Sequence, residues 1–318
     1  MQKIEHLDLL RGYAAISVVF YHYLYHFNNV TNAGVGIFVF AVGKLGVALF
    51  FILSGYLISL SIRNKTPSRF LFLRFLRLIP TYYLCIILTF GTVSLLNVNI
   101  RDVDYFDFIS NFFIFPSLFN AKFVDGSYWT LEYEWIFYTV AALCLFTKSF
   151  FIYTMYFILL FLSFVSFNFS DKFNFLFLNN YSSFFLLGVC FFSINQRSTN
   201  NKIVVFNYLV LSLAVVSLFH NQKYFLIHII IIIIFLLGLK GKLNFLDNSM
   251  FRFFSKISYP LYLLHQYIGF AIILFLLERG FSFYFAVMIA FFIAVALSYL
   301  VHLYIEIRLS AFLKRFYK

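Results

Sequence analysis

Apolar runs of roughly twenty residues, each closed by a short polar cluster, recur along the chain, and a helix of that length is what the hydrocarbon core of a bilayer requires. The polar clusters divide the sequence into ten predicted spans, with approximate cores at 7–27, 43–62, 78–97, 127–147, 149–167, 181–195, 203–219, 224–239, 257–277 and 282–304. The short in-and-out alternation of a lipid-embedded barrel is missing, so the expected fold class is an all-α polytopic membrane protein. The longest polar connection, 98–126, separates the third span from the fourth and carries Arg101, Asp102, Asp104, Asp107 and Asp125. No repeat of fixed period and no second domain is visible, so residues 1–318 read as a single membrane-embedded domain. About 14 residues follow the last span, too few for an appended soluble module.

Composition supports the same picture. Of 318 residues, 63% are hydrophobic and 11% charged, far from the soluble range. The short polar Met1 to Glu5 stretch leads straight into an apolar segment bearing Arg11 and His22, with no small-residue cleavage signature, and is expected to begin the first span rather than a removed signal. The net charge of +12 would suggest nucleic acid in a soluble domain. Here it follows the membrane. With a cytoplasmic N-terminus, seventeen Lys and Arg fall on the inside, among them Arg63, Lys65, Arg69, Arg74 and Arg77, and six on the outside. Positive residues therefore place both termini in the cytoplasm and leave no call for nucleic acid. Cys85, Cys144 and Cys190 lie far apart in apolar stretches, which suggests neither a disulfide framework nor a metal site.

A few polar residues stand out against this background. Eleven steps at about 100° bring Arg11 and His22 to within roughly 20° of one another on a helix, some 16 Å apart along its axis. Asp8, three residues before Arg11, can pair with it and make it a snorkelling anchor. His22 lies deeper, where an ionisable side chain faces a cavity or a partner rather than lipid, as a functional group or as a satisfied packing histidine. Ser54-Gly55 in the second span suits close helix approach. Arg74 and Arg77 share a face at the entrance to the third span, where paired guanidinium forks can hold phosphates or simply belong to the positive-inside cluster. Glu134 enters the membrane one turn before Tyr138, and Ser258, Tyr262 and His265 share a face of the ninth span. His302 and Glu306, one turn apart, are expected to pair structurally.

Taken in order, these segments resemble the integral-membrane acyltransferase family 3, over about residues 5–305. Leu7-Asp8-Leu9-Leu10-Arg11-Gly12 with His22 is similar to the family's Arg, ten residues, His motif. Phe50-Phe51-Ile52-Leu53-Ser54-Gly55-Tyr56 is similar to its Phe-Phe, two residues, Ser-Gly-aromatic element, and Arg74 with Arg77 to its paired arginines. Trp129, Glu134 and Tyr138 follow its Trp-Ser-Leu, two residues, Glu, two residues, Phe-Tyr block, and Ser258-Tyr259 with Tyr262 and His265 its late Ser-Tyr motif. Two departures are Ala48, where many members carry Asp, and Ile307, where a Lys-Pro continuation is common.

The resemblance implies transfer of an acyl group, usually acetyl from cytoplasmic acetyl-CoA, to a hydroxyl of an extracytoplasmic carbohydrate. The carbohydrate is a surface glycan such as O-antigen, capsule or exopolysaccharide, free or lipid-linked, and the location the bacterial inner membrane. The family reading makes His22 the general base or acyl carrier, with Arg11 and Glu134 as its catalytic company. It puts Arg74, Arg77, Arg11 and Ser54 at the acyl-CoA and Trp129, Tyr138, Tyr259 and His265 at the acceptor, with no metal. A transporter or flippase is the competing class, and the inverted repeats or broken helices that would favour it are not visible.

Overall fold

The computed structural model describes residues 2–31, 38–62, 65–98, 100, 102–168, 178, 181–195, 205–206, 208–209, 211–213, 222–243 and 247–315. Among these every regular element is helical. In order they are α1 (Gln2–Tyr21), a π-helical turn (His22–His26), α2 (Phe27–Thr31), a 3-10 stretch (Phe38–Lys44), α3 (Leu45–Ser61), α4 (Pro67–Leu96), α5 (Tyr105–Asn111) and a 3-10 turn (Pro116–Phe119). Then follow α6 (Trp129–Cys144), a 3-10 turn (Leu145–Phe150), α7 (Phe151–Asn168), α8 (Ser182–Asn195), α9 (Gln222–Leu239), α10 (Ser249–Leu277), α11 (Phe283–Val301), a second π-helical stretch (His302–Leu309) and α12 (Ser310–Arg315).

Among the described residues, four stretches are long and apolar enough to cross a membrane: Phe40–Ser61, Pro67–Leu96, Ser249–Leu277 and Phe283–Leu313. Shorter apolar helices occur at Phe151–Ser163, Ser182–Asn195 and Ile229–Leu239. The seventh expected span, 203–219, falls largely outside the described residues, as do Arg63 and Arg101. One boundary differs clearly from expectation. The basic segment before residue 78 is helix from Pro67 onward, not a loop leading into one. Proline fits the first helical turn, where its missing N–H is not needed, and the Arg, Leu and Phe that follow continue the helix.

The chain forms two compact units, Met1–Leu7, Val47–Arg74 and Leu131–Asn244 in the first, and Asp8–Gly46, Phe75–Thr130 and Phe245–Lys318 in the second. In the first unit α3 crosses α8 at two glycines. A Cβ on Gly55 would lie 2.2 Å from the Phe185 carbonyl oxygen, and one on Gly188 2.1 Å from that of Ile52. Only hydrogen fits at this crossing, which is how membrane helices bring their backbones into contact. Around it Phe51, Phe137 and Phe185 pack ring against ring, Phe137 stacked on Phe185 at 4.2 Å.

In the second unit α10 and α11 lie against one another, and α1 meets α10 at Gly12, where a Cβ would stand 2.4 Å from the Phe251 carbonyl oxygen. Pro80 inside α4 cannot supply the N–H that would close on the Leu76 carbonyl. The Ser310 hydroxyl donates to that carbonyl instead, at 3.2 Å. Tyr259 of α10 donates to the neighbouring Leu78 carbonyl at 3.0 Å.

Candidate active site

In the second unit the helix of residues 2–21 widens to a π-turn at His22, and such turns are concentrated at functional sites. His22 is 9% exposed and His265 fully buried. Nε2 of His265 lies 2.9 Å from Nδ1 of His22. The other nitrogen of His265, Nδ1, is 3.0 Å from the Leu261 carbonyl and 2.9 Å from that of Tyr262. Carbonyl oxygens only accept, so Nδ1 of His265 carries the hydrogen and, in the neutral pair, its Nε2 is an acceptor. Nδ1–H of His22 must then donate, to His265 and to the Val18 carbonyl 3.0 Å away. The lone pair of His22 is left on Nε2. Tyr21 stands edge-on to the His22 ring at 4.9 Å and His26 edge-on at 5.4 Å.

Two further contacts fix this pair. The buried Tyr23 hydroxyl donates to the His265 carbonyl at 2.7 Å, and a Cβ on Gly269 would fall 2.2 Å from that hydroxyl. Asp125, fully buried, accepts the N–H of Tyr267 at 2.8 Å, two residues beyond His265. Its other oxygen accepts the N–H and hydroxyl of Ser127, at 2.8 and 2.7 Å. Burial pushes the Asp125 carboxyl up to about 6, against the opposing pull of the Ser127 and Tyr267 donors.

Midway along α1, Arg11 donates to Asp8 at 3.2 Å, the pairing expected from their spacing. Arg11 and Arg77 are within electrostatic reach of Glu306, which bonds His302 one turn earlier, as expected of that pair. Trp129 opens α6, half-buried.

The first unit assembles a second polar group from three separate sequence motifs. Glu134 accepts from Ser54 at 3.3 Å and from Tyr138, each through the same carboxylate oxygen. The Arg74 guanidinium lies over the rings of Tyr138 and Phe70, at 5.7 and 5.4 Å, and donates to Ser61 at 2.8 Å. Partial burial, then the neighbouring Arg74 and Arg69, push the Lys65 ammonium below its ordinary value. Lys65, Arg69 and Arg74 therefore concentrate positive charge at the start of α4. Sequence reasoning counted Lys65 and Arg69 only as topology signals and passed over Ser61 and Asp125 as site residues. Arg74 is half-buried among aromatic rings, and Arg77, three residues on in α4, is exposed within electrostatic reach of Glu306.

Among the described residues no group of three or more His, Cys, Asp or Glu is arranged to hold a metal ion. No curated protein and no solved structure matches the sequence. A family model described as an acyltransferase domain, acyltransferase family 3, matches residues 4–303. The match covers nearly the whole chain and includes His22, His265, Asp125, Ser54, Arg74, Glu134 and Tyr138, so this protein belongs to acyltransferase family 3.

Proposed function

We propose that the chain transfers an acyl group, acetyl above others, from acyl-CoA on the cytoplasmic side to a hydroxyl of a bacterial surface glycan such as O-antigen, capsule or exopolysaccharide. On this reading it is a single multi-pass domain of the inner membrane, with about ten spans and both termini cytoplasmic. Charge asymmetry of the loops and four long apolar helices support that topology.

The observation that carries the chemistry is the hydrogen on Nδ1 of His265, set by two backbone carbonyls, because it leaves Nε2 of His22 as a bare base. That nitrogen takes the proton of the acceptor hydroxyl as the oxygen attacks the thioester carbonyl. The carbon–sulfur bond then breaks and the departing CoA sulfur receives the proton back from His22. While His22 is an imidazolium, its Nδ1–H bond to His265 becomes charge-assisted and stronger. The same lone pair would serve if His22 were acylated first, with one extra transfer step.

In the first unit, Arg74 with Arg69 and Lys65 supplies the charge for the CoA phosphates, and Ser54, Glu134 and Tyr138 fix the guanidinium and its surroundings. In the second, Arg77 and Arg11 add positive charge at the cytoplasmic end, and Trp129 and Tyr259 contribute to holding the acceptor.

Proton NMR of surface polysaccharide from cells carrying the wild-type gene, no gene or His22→Ala, at matched membrane levels, tests the reading. An O-acyl resonance present only with wild type is expected. An unchanged resonance with His22→Ala removes the mechanism. Absence of any ester difference, together with no acyl-CoA turnover by purified protein, removes acyl transfer and returns the question to transport.

A further inference from the structure

The connection between α4 and α6 is built inside out. Helix α5 turns its polar residues inward: Asp107 is 5% exposed, Ser110 4% and Asn111 0%. Its apolar residues face outward, with Tyr105, Phe106, Ile109 and Phe113, spaced on one helical face, each more than half exposed. The 3-10 turn adds Leu118 and Phe119, and Phe119 lies ring to ring with Phe113 at 5.4 Å.

This arrangement is firmly held. Asp104 and Asp107 form a capping box at the start of α5. Asp107 also accepts the Lys122 N–H at 2.7 Å. Asn111 donates to the carbonyls of Asp107 and Lys122, at 2.7 and 2.9 Å, and accepts from the Val124 N–H at 3.2 Å. The inward Asp107 and Asn111 side chains are thus satisfied within the segment, which holds the aromatic face outward.

The same segment is seated along the C-terminal half of a span, from Phe90 back to Tyr83. Phe108 lies 4.4 Å from Phe90 of α4, Tyr105 5.8 Å from the same ring, and Tyr83 donates to the Phe112 carbonyl at 2.9 Å. Exposed Ile87 and Leu95 on α4 continue the apolar surface of the span toward this end. Among the described residues the charges next to this face stand at its border: exposed Asp104 caps the start of α5, and Lys122 and Asp102 are 3.8 Å apart. An aromatic face bordered by charges and packed along a membrane helix has the composition that meets lipid near the headgroup boundary, where aromatic side chains gather.

We propose that α5 and the turn after it lie against the bilayer beside the C-terminal half of α4, with Tyr105, Phe106, Ile109, Phe113 and Phe119 inserted among lipids and Asp102, Asp104 and Lys122 left in water. The connection is then a lipid-seated collar and not a solvated loop. Nitroxide labels at Phe106→Cys, Ile109→Cys and Phe113→Cys, with Asp102→Cys as the aqueous reference, test this in the full chain in phosphatidylcholine–phosphatidylglycerol vesicles. The three native cysteines are buried, so the unlabelled background is the wild-type protein. Collisions with oxygen should exceed those with a water-soluble nickel chelate at 106, 109 and 113, and the ratio should reverse at 102. Nickel access at all four positions overturns the proposal, as does loss of both collisions with spin–spin broadening, which would mark a contact between copies. Phe106→Trp, which keeps an aromatic ring in place, gives a second reading: its added fluorescence should be quenched by brominated lipid, and quenching by aqueous iodide alone would overturn the idea.

Discussion

Nδ1 of His22 and Nε2 of His265, 243 positions apart in sequence, share a hydrogen at 2.9 Å. Since two carbonyls hold the other nitrogen of His265 in its protonated form, that residue can only receive from His22. His22→Ala should lower acyl transfer by about 10²- to 10⁴-fold, the usual worth of a general base. His265→Ala removes the acceptor and should cost activity by loosening the His22 ring, while His265→Gln, whose amide oxygen can still accept, should recover part of it. Transfer rates in proteoliposomes at equal protein levels check this order. Equal rates for His265→Ala and wild type would refute it.

Tyr23 and Gly269 hold the two elements of that pair together, so they are expected to matter without touching substrate. Tyr23→Phe loses the bond to the His265 carbonyl and should cost about 1 kcal/mol of stability. Gly269→Ala forces a methyl group into the Tyr23 hydroxyl and should cost about 1–3 kcal/mol. Thermal unfolding followed by tryptophan fluorescence measures both, and Gly269→Ala should also reduce transfer.

Much of the fold was legible in the sequence because the signals were one-dimensional. Length of apolar runs located α3, α6, α7 and α10, and the three-residue spacing of Asp8 and Arg11 announced their bond. The candidate chemistry was legible only in pieces. His22 could be singled out as an ionisable group within a span, yet its partnership with His265 depends on how α10 lies beside the π-turn, which no local spacing encodes. Asp125 looked like one more acid in a polar connection. Its role came from a backbone N–H in α10, a donor that leaves no mark in the sequence. The outward aromatic face of α5 was hidden for a related reason, since a polar-looking segment reads as solvated until the structure shows which side its acids face.

Asp125 predicts a pH dependence of stability. Its folded carboxyl titrates near 6 against an ordinary value of 3.8, so the folded state favours the protonated form. The associated stability is fully present below about pH 4 and is lost as pH rises through about 6, a change of about 3 kcal/mol. Asp125→Asn cannot titrate and should lack this component. Melting temperatures in detergent between pH 4 and 8 should show wild type declining relative to Asp125→Asn across that window, and parallel curves would count against a buried titrating carboxyl.

Arg74 predicts a split between binding and turnover. Its planar guanidinium donates to Ser61 and stacks over Phe70 and Tyr138, and Tyr138 in turn bonds Glu134. A lysine keeps the charge but neither the fork nor the stacking. If the cluster with Arg69 and Lys65 binds the CoA phosphates, Arg74→Lys should raise KM for acyl-CoA by about tenfold, about 1.4 kcal/mol of binding, while kcat changes far less. Glu134→Gln should change KM far less than Arg74→Lys, because its amide oxygen can still accept from Ser54 and Tyr138. Raising ionic strength should increase KM for wild type more than for Arg74→Ala, since screening removes an attraction that the alanine variant already lacks. A fall in kcat at unchanged KM would instead place Arg74 with the reacting atoms and separate it from donor binding.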